Sequence, residues 1–379
     1  MQRSLNALHT AVAALIVGMS SIAYGDGGTV VVAARDSSEK SKASADFIGD
    51  GEGDQEEIIA AVESLPEAGG TVLLMEGTYD IRKVSGELGG VLIERSDVTL
   101  AGQGSATKLV QAASQETNVI RIIGSGVGNI VIRDLWIDAN RDENPLGIGD
   151  PKISHDRFEY CGIKAFCARP GGSCPEPNHD ITIENCTILN ARRLGVMLEG
   201  VNMNVIDNVL GNAMSDSVEI LTGPGEIRGN YFEITGRTHV ACGTDRGNSI
   251  LMTDNIVHVK ATGDIDIGFR SWADSRRHVI SNNVLTVEKG GRCGTAMDVR
   301  GDGAVVTGNC IHGADGEERL PLWITGGNTL VTGNLFENVV VVVNDKTGRN
   351  LPIVVNNNIL MNSEIDHRAG RLTTSPETE

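Results

Sequence analysis

Along the second half of the chain, apolar and polar residues alternate in short runs, and each run breaks at an asparagine. The phrase reads ITIENCTI (181–188), VIDNVL (205–210), EIRGNYF (226–232) and LMTDNIV (251–257). It continues as VISNNVL (279–285), VVTGNCI (305–311), LVTGNLF (330–336) and VVNNNIL (354–360). Aligned on Asn185, Asn208, Asn230, Asn255, Asn283, Asn309, Asn334 and Asn358, the copies recur every 22 to 28 residues. Upstream, VIRDLWI (131–137) fits with Asp134 in the asparagine place, and VTLAGQG (98–104) reads as a weaker first copy. Alternation with period 2 predicts strands; a repeat of about 24 residues with no long amphipathic helix predicts coils of a parallel β-helix. The spaced leucines of leucine-rich repeats are absent. Stacked at the ordinary strand spacing of about 4.8 Å, the inward Val, Ile and Leu residues would form continuous apolar columns. The asparagines read as scaffold, placed at a turn where an amide bonds its neighbours and tolerates left-handed backbone.

The N-terminal segment ADFIGDGEGDQEEIIAAVESLPEAGGTVLLMEGTYDI (45–81) breaks this rhythm. Asp54 is placed as the N-cap of a helix from Gln55 to about Ser64, stopped by Pro66 and Gly69-Gly70, with a first strand over Thr71–Met75. Such a helix would cover the open strand edges at one end of the solenoid. The acidic, glycine-rich opening, the short helix, the Gly-Gly-Thr-Val strand and the Glu-Gly-Thr-Tyr turn resemble the start of pectin-lyase-like right-handed β-helix proteins. The resemblance spans about residues 45–361. It implies an all-β, single-stranded right-handed parallel β-helix of about ten coils with an N-terminal capping helix. Polysaccharide lyases, polygalacturonase-type hydrolases, uronate epimerases and phage depolymerases share that fold, so fold alone does not choose a reaction. The Asn-Thr-Asp, Gly-His-Gly and Arg-Ile-Lys elements of the hydrolases are not found intact. The Asp-Pro-His-Asp element of alginate epimerases is missing, with Asp150-Pro151-Lys152 a poor substitute.

Composition narrows the remaining choices. The 379 residues include 47 glycines and only 3% aromatics, which suits short strands and tight turns better than an ordinary globular core. A formal charge of −18 speaks against nucleic acid and anionic membrane surfaces as partners. Residues 1–25 carry a basic start at Arg3, an apolar run over Ala11–Ile22 and small residues around Gly25. This predicts a cleaved signal peptide, with the β-helix over 26–365 and a polar tail over 366–379. No second run of membrane-spanning length follows. Export permits disulfides; of seven cysteines, Cys167 and Cys174 bracket a flexible turn that could close a small ring. Two insertions, 141–160 and 167–179, are expected to wall one end of a groove, and His155-Asp156 lies in the first.

Candidate chemistry lies on a second strand about ten residues after each asparagine. Taking Val196/Leu198, Val218/Ile220, Ile265/Ile267, Met297/Val299 and Leu322/Ile324 as inward pairs leaves an outward column of Met197, Glu219, Asp266, Asp298 and Trp323. In this register Asp266 and Asp298 come from consecutive coils about 5 Å apart. Stacked carboxylates raise one another's pKa or recruit a cation. The pair therefore reads as the acid and base of a glycosidase, or as holding Ca²⁺ against a uronate beside an arginine base. The third reading is a solvated face neutralised by Arg270 and Arg300. The catalytic candidates are Asp266, Asp298, Arg300 and Glu219; the substrate-binding candidates are Trp323, Glu199, Arg270 and His239. Neighbouring loops add Asp216, Asp245, Trp272 and His278. The function expected is a secreted enzyme cleaving a polysaccharide, lyase or hydrolase ahead of epimerase; the alternative is a non-catalytic β-helix adhesin or sugar-binding surface.

Overall fold

A computed structural model describes residues 28–144, 159–169, 172–314, 318–345 and 348–374. The predicted signal peptide and His155-Asp156 lie outside these residues. The alternating runs form strands that pair in parallel with the coil before and the coil after, giving a right-handed parallel β-helix. An eleven-stranded parallel sheet forms one wall, from Gly89–Ile93 to Glu364–Ala369. The remaining strands make a second, 23-stranded surface folded around the asparagine turn. Inward side chains such as Val205, Ile227, Met252, Ile280, Val306 and Val331 are fully buried and stack coil upon coil into one core.

At the turn, buried asparagines form a ladder along the axis. Asn230 Oδ1 accepts both the backbone N–H and the side-chain N–H of Asn208, each at 3.0 Å. The same two bonds repeat from Asn230 to Asn255, Asn283, Asn309, Asn334 and Asn358. The left-handed backbone falls one residue earlier, at Asp207, Gly229, Asp254, Asn282, Gly308, Gly333 and Asn357. This corrects the alignment at its start. Asn185 and Asp134 are themselves left-handed, at φ 50° and 57°, so the ladder place in those coils belongs to Cys186 and Leu135. Cys186 donates its N–H to Asn208 Oδ1.

The helix Gln55–Ser64 starts at Asp54 as expected and buries Ile58, Ala61 and Val62 in the same core as the first strands. The Asp54 carboxylate accepts from Gly51 and Asp80 backbone N–H groups rather than from the helix. The solenoid runs past its expected end at residue 365, and its first strand comes before the expected Thr71–Met75. A strand Gly28–Ala33 and a short helix Glu39–Ala43 precede the cap, and strands Glu364–Ala369 and Arg371–Thr374 continue past residue 365. Cys167 and Cys174 form a disulfide.

Candidate active site

The outward column on the eleven-stranded sheet is set by strand register. It runs Arg121, Lys164, Met197, Glu219, Gly243, Arg270, Asp298 and Trp323. The Asp298 neighbour is therefore Arg270, not Asp266. The strand Asp264–Ser271 keeps its expected parity but slides by four residues, so that Phe269 and Ser271, not Ile265 and Ile267, pair with Met297 and Val299. Asp266 lies instead beside His239, whose Nδ1 is 2.7 Å from Asp266 Oδ2, and Arg237 Nη2 is 2.5 Å from the same oxygen. Partial burial opposes ionisation of Asp266, but these two hydrogen bonds outweigh it and hold the carboxyl below its usual range. The Asp266–Asp298 pair, and with it the Ca²⁺ site imagined between them, does not form. Among the described residues no group of three His, Cys, Asp or Glu side chains is arranged to hold a metal ion.

The register slip puts a guanidinium among carboxylates. Arg270 Nη2 lies 2.7 Å from Asp216 Oδ2, 2.6 Å from Glu219 Oε1 and 2.8 Å from Asp245 Oδ1. Arg270, Asp216 and Glu219 are buried, whereas the Asp245 side chain is 26% exposed and reaches the surface. One cation cannot neutralise three carboxylates in a medium that solvates charge poorly. Burial, then repulsion from Asp216 and Asp245, pushes Glu219 well above the ordinary glutamate range, against the pull of Arg270. Asp245, held on the same guanidinium nitrogen as Glu219, adds to that upward push. Asp216 is raised as well, chiefly by burial, with Arg270 and His239 opposing.

One coil further, Arg300 grips Asp298 with Nε at 2.9 Å and Nη2 at 2.6 Å. Asp298 is nearly covered while the Arg300 side chain is 40% exposed. Trp272 stands between the two arginines, its ring centre 4.1 Å from the Arg300 guanidinium carbon and 5.3 Å from that of Arg270. Trp323 stacks next to Asp298 in register and carries Arg368 over its ring at 5.0 Å. Glu199, raised by burial and eased back by Arg246, lies 3.6 Å from that arginine. Toward the other end the column is buried: Glu159 pairs with Lys164 at 2.6 Å, and Arg121 donates to the Ala168 carbonyl at 3.0 Å.

Of the sequence candidates, the structure joins Glu219, Arg270, Asp298 and Arg300 into one cluster and sets Asp266 and His239 at its edge. Asp216 and Asp245, singled out only as loop residues, belong at its centre. The fold is a right-handed parallel β-helix. Its solved neighbours include the A-module of mannuronan C-5 epimerase AlgE6 from Azotobacter vinelandii: TM-score 0.55, 21% identity, 86% of this chain and 95% of that one. A second is a DFA-IIIase from Arthrobacter chlorophenolicus A6, at TM-score 0.53, 12% identity, and 90% and 85% coverage. A third is the N-terminal fragment of bacteriophage Phi29 gene product 12, at TM-score 0.59, 16% identity, and 86% and 64% coverage. No family model matches the chain, and no curated protein matches it by sequence. At these identities the β-helix is what is shared, and the chemistry has to be argued from the residues above.

Proposed function

We propose that this chain is an exported carbohydrate-active enzyme that hydrolyses a glycosidic bond of a polysaccharide on the outer face of its eleven-stranded sheet. The observation that carries the reading is the crowding of buried Glu219, buried Asp216 and surface-reaching Asp245 on the single Arg270 Nη2, which leaves Glu219 well above the ordinary glutamate range. Glycoside hydrolysis needs one carboxyl group protonated at working pH and a second one able to assist water or stabilise positive charge on the sugar. In this reading Glu219 is the proton source and Asp245, whose side chain reaches the surface beside it, its route to the substrate; Asp298, the register partner of Arg270, supplies the second carboxylate. Trp272, Trp323 and Arg300 line the approach, and flat rings beside charged groups suit the apolar faces and hydroxyls of sugars. A lyase would need a strong base, and Arg300, the arginine placed to act as one, has its Nε and Nη2 engaged by Asp298. That favours hydrolysis and makes Arg300 a clamp. Export rests on the apolar run in residues 1–25, and the solved carbohydrate-active neighbours support a sugar substrate.

The test is a panel of neutral and acidic polysaccharides, read in parallel for new reducing ends and for the absorbance of unsaturated ends. Reducing ends without unsaturation are expected, with Asp245→Asn and Asp298→Asn each lowering turnover by about a hundredfold or more. Unsaturated ends would turn the assignment to a lyase. Binding without either product would turn it to a sugar-binding surface.

A further inference from the structure

On another face of the solenoid the same register logic assembles a nucleophile, a base and an orienting acid. Cys310 and His312 stand two residues apart on the strand Cys310–His312, so both point outward between the buried Ile311 and its neighbours. In the next coil the register partner of His312 is Glu337. Cys310 Sγ lies 3.0 Å from His312 Nε2, and His312 Nδ1 lies 2.7 Å from Glu337 Oε2. The donors and acceptors form one consistent chain: Nδ1–H donates to the carboxylate, which leaves the Nε2 lone pair to accept the thiol proton. The His312 and Glu337 side chains are 35% and 38% exposed and Cys310 is half-buried, so the group is open to solvent molecules and small reactants. The flanking outward residues, Val284 and Thr286 below and Leu335 above, carry no charge. Among the described residues, Glu337 and His312 are thus the only titratable groups that face the sulfur from the packed strands.

We propose that Cys310 is a thiol–disulfide exchange site, modified by low-molecular-weight disulfides, with His312 as its base and Glu337 as the residue that positions the imidazole. In the step, the Cys310 proton moves to His312 Nε2 and the thiolate attacks one sulfur of the disulfide. The new Cys310 S–S bond forms as the old one breaks, and the departing thiolate takes the proton from His312. The disulfide is the only oxidant required. Displacement at sulfur fits better than acyl transfer, because an acyl intermediate needs free N–H donors for its oxyanion. Here the nearby backbone N–H groups are spent in the ladder: Cys310 to the Asn283 carbonyl, Leu335 to that of Asn309 and Gly313 to that of Glu337. Partial burial and the Glu337 charge raise the lone thiol above its ordinary value. Handing the proton to His312 sidesteps that cost, since thiolate and imidazolium form as a neutral pair beside a carboxylate that favours the imidazolium.

The full chain would be treated with oxidised glutathione across pH 6–8, trapped at intervals and mapped by peptide mass. Cys310 should take up glutathione at least about tenfold faster than Cys293, the other half-buried thiol outside the disulfide. His312→Gln should slow Cys310 about tenfold at neutral pH and leave the circular dichroism unchanged. Its rate should then fall about tenfold per pH unit toward acid, as for an unassisted thiol, whereas the unsubstituted protein should lose far less. Glu337→Gln should fall between the two and steepen the pH profile, which a purely structural role would not do. Equal rates at Cys310 and Cys293, or a His312→Gln rate and pH profile matching the unsubstituted protein, would overturn the proposal.

Discussion

The Glu219 carboxyl is the residue whose state matters most. Its folded pKa is raised, so the unfolded chain releases this proton near the ordinary glutamate value while the folded chain keeps it. Stability from this group is therefore complete below about pH 4.5 and declines as pH rises from there toward the folded value. Glu219→Gln reproduces the neutral shape, with a carbonyl for Arg270. It should leave melting unchanged near pH 4 and raise it at pH 7, while activity is lost because the amide has no proton to give; melting curves at the two pH values check this. His278 behaves in the opposite sense. It is buried, accepts from the Ile250 N–H at 3.2 Å, and burial lowers its pKa to about 4. The unfolded chain takes up a proton near pH 6.5 that the folded chain refuses, so stability should fall between pH 6.5 and 4. The loss is on the order of 3 kcal/mol for a shift of this size. His278→Gln, which keeps an acceptor for Ile250, should flatten that slope in urea titrations at pH 7 and pH 4.

At the scale of the element, the asparagine turn and the strand parity were both legible, and the register was not. In Asp264–Ser271 the sequence DIDIGFRS offers Ile265/Ile267 and Phe269/Ser271 as inward pairs with equal parity. A shift by an even number of residues preserves every inward and outward assignment. The distance from ladder asparagine to inward pair varies, ten residues from Asn208 to Val218 but fourteen from Asn255 to Phe269, so counting forward about ten residues lands on Ile265. A search for charge balance would have found the answer: four residues of slip bring Arg270 beside Asp298 and the carboxylates of the two preceding coils. Asn185 misaligned for a related reason, because ENC and IDN differ in which position carries the asparagine. The ladder itself predicts a sharp cost. Asn283→Ala removes the acceptor used by the N–H and the side chain of Asn255 and two donor bonds of its own, to Met252 and Asn309. Buried orphans cost about 1–3 kcal/mol each, so a loss of about 3 kcal/mol or more is expected in chemical denaturation. Asn358→Ala at the end of the row should cost less.

For the whole molecule, two short helices and thirty-odd strands among the described residues should give a far-ultraviolet dichroism spectrum dominated by β structure; a helix share near the globular average of about a third would contradict the fold. Because each coil touches only its neighbours, failure should spread from an unprotected end. Ile58→Asp places a charge at a fully buried position of the N-terminal helix and should release that helix and expose strand edges, so aggregation at moderate temperature is expected, read by light scattering. At the far end Ile359 and Met361 remain substantially exposed, while Glu364, Asp366, Arg368 and Arg371 put charge on the last strands, a pattern that discourages edge-to-edge pairing.

The asparagine row also has a direction. From Asn208 to Asn334 every side-chain amide donates an N–H to the next, C-terminal coil, and from Asn230 to Asn358 each turns its C=O toward the N-terminal one. Seven aligned dipoles in a buried channel polarise one another, and none can rotate by half a turn without facing a like group on both sides. The amides therefore share a single collective orientation, fixed at the start where Cys186 presents a backbone N–H and no amide. An aspartate introduced mid-row would not act as a local defect: it would set acceptor against acceptor, and its influence would run along the axis in both directions.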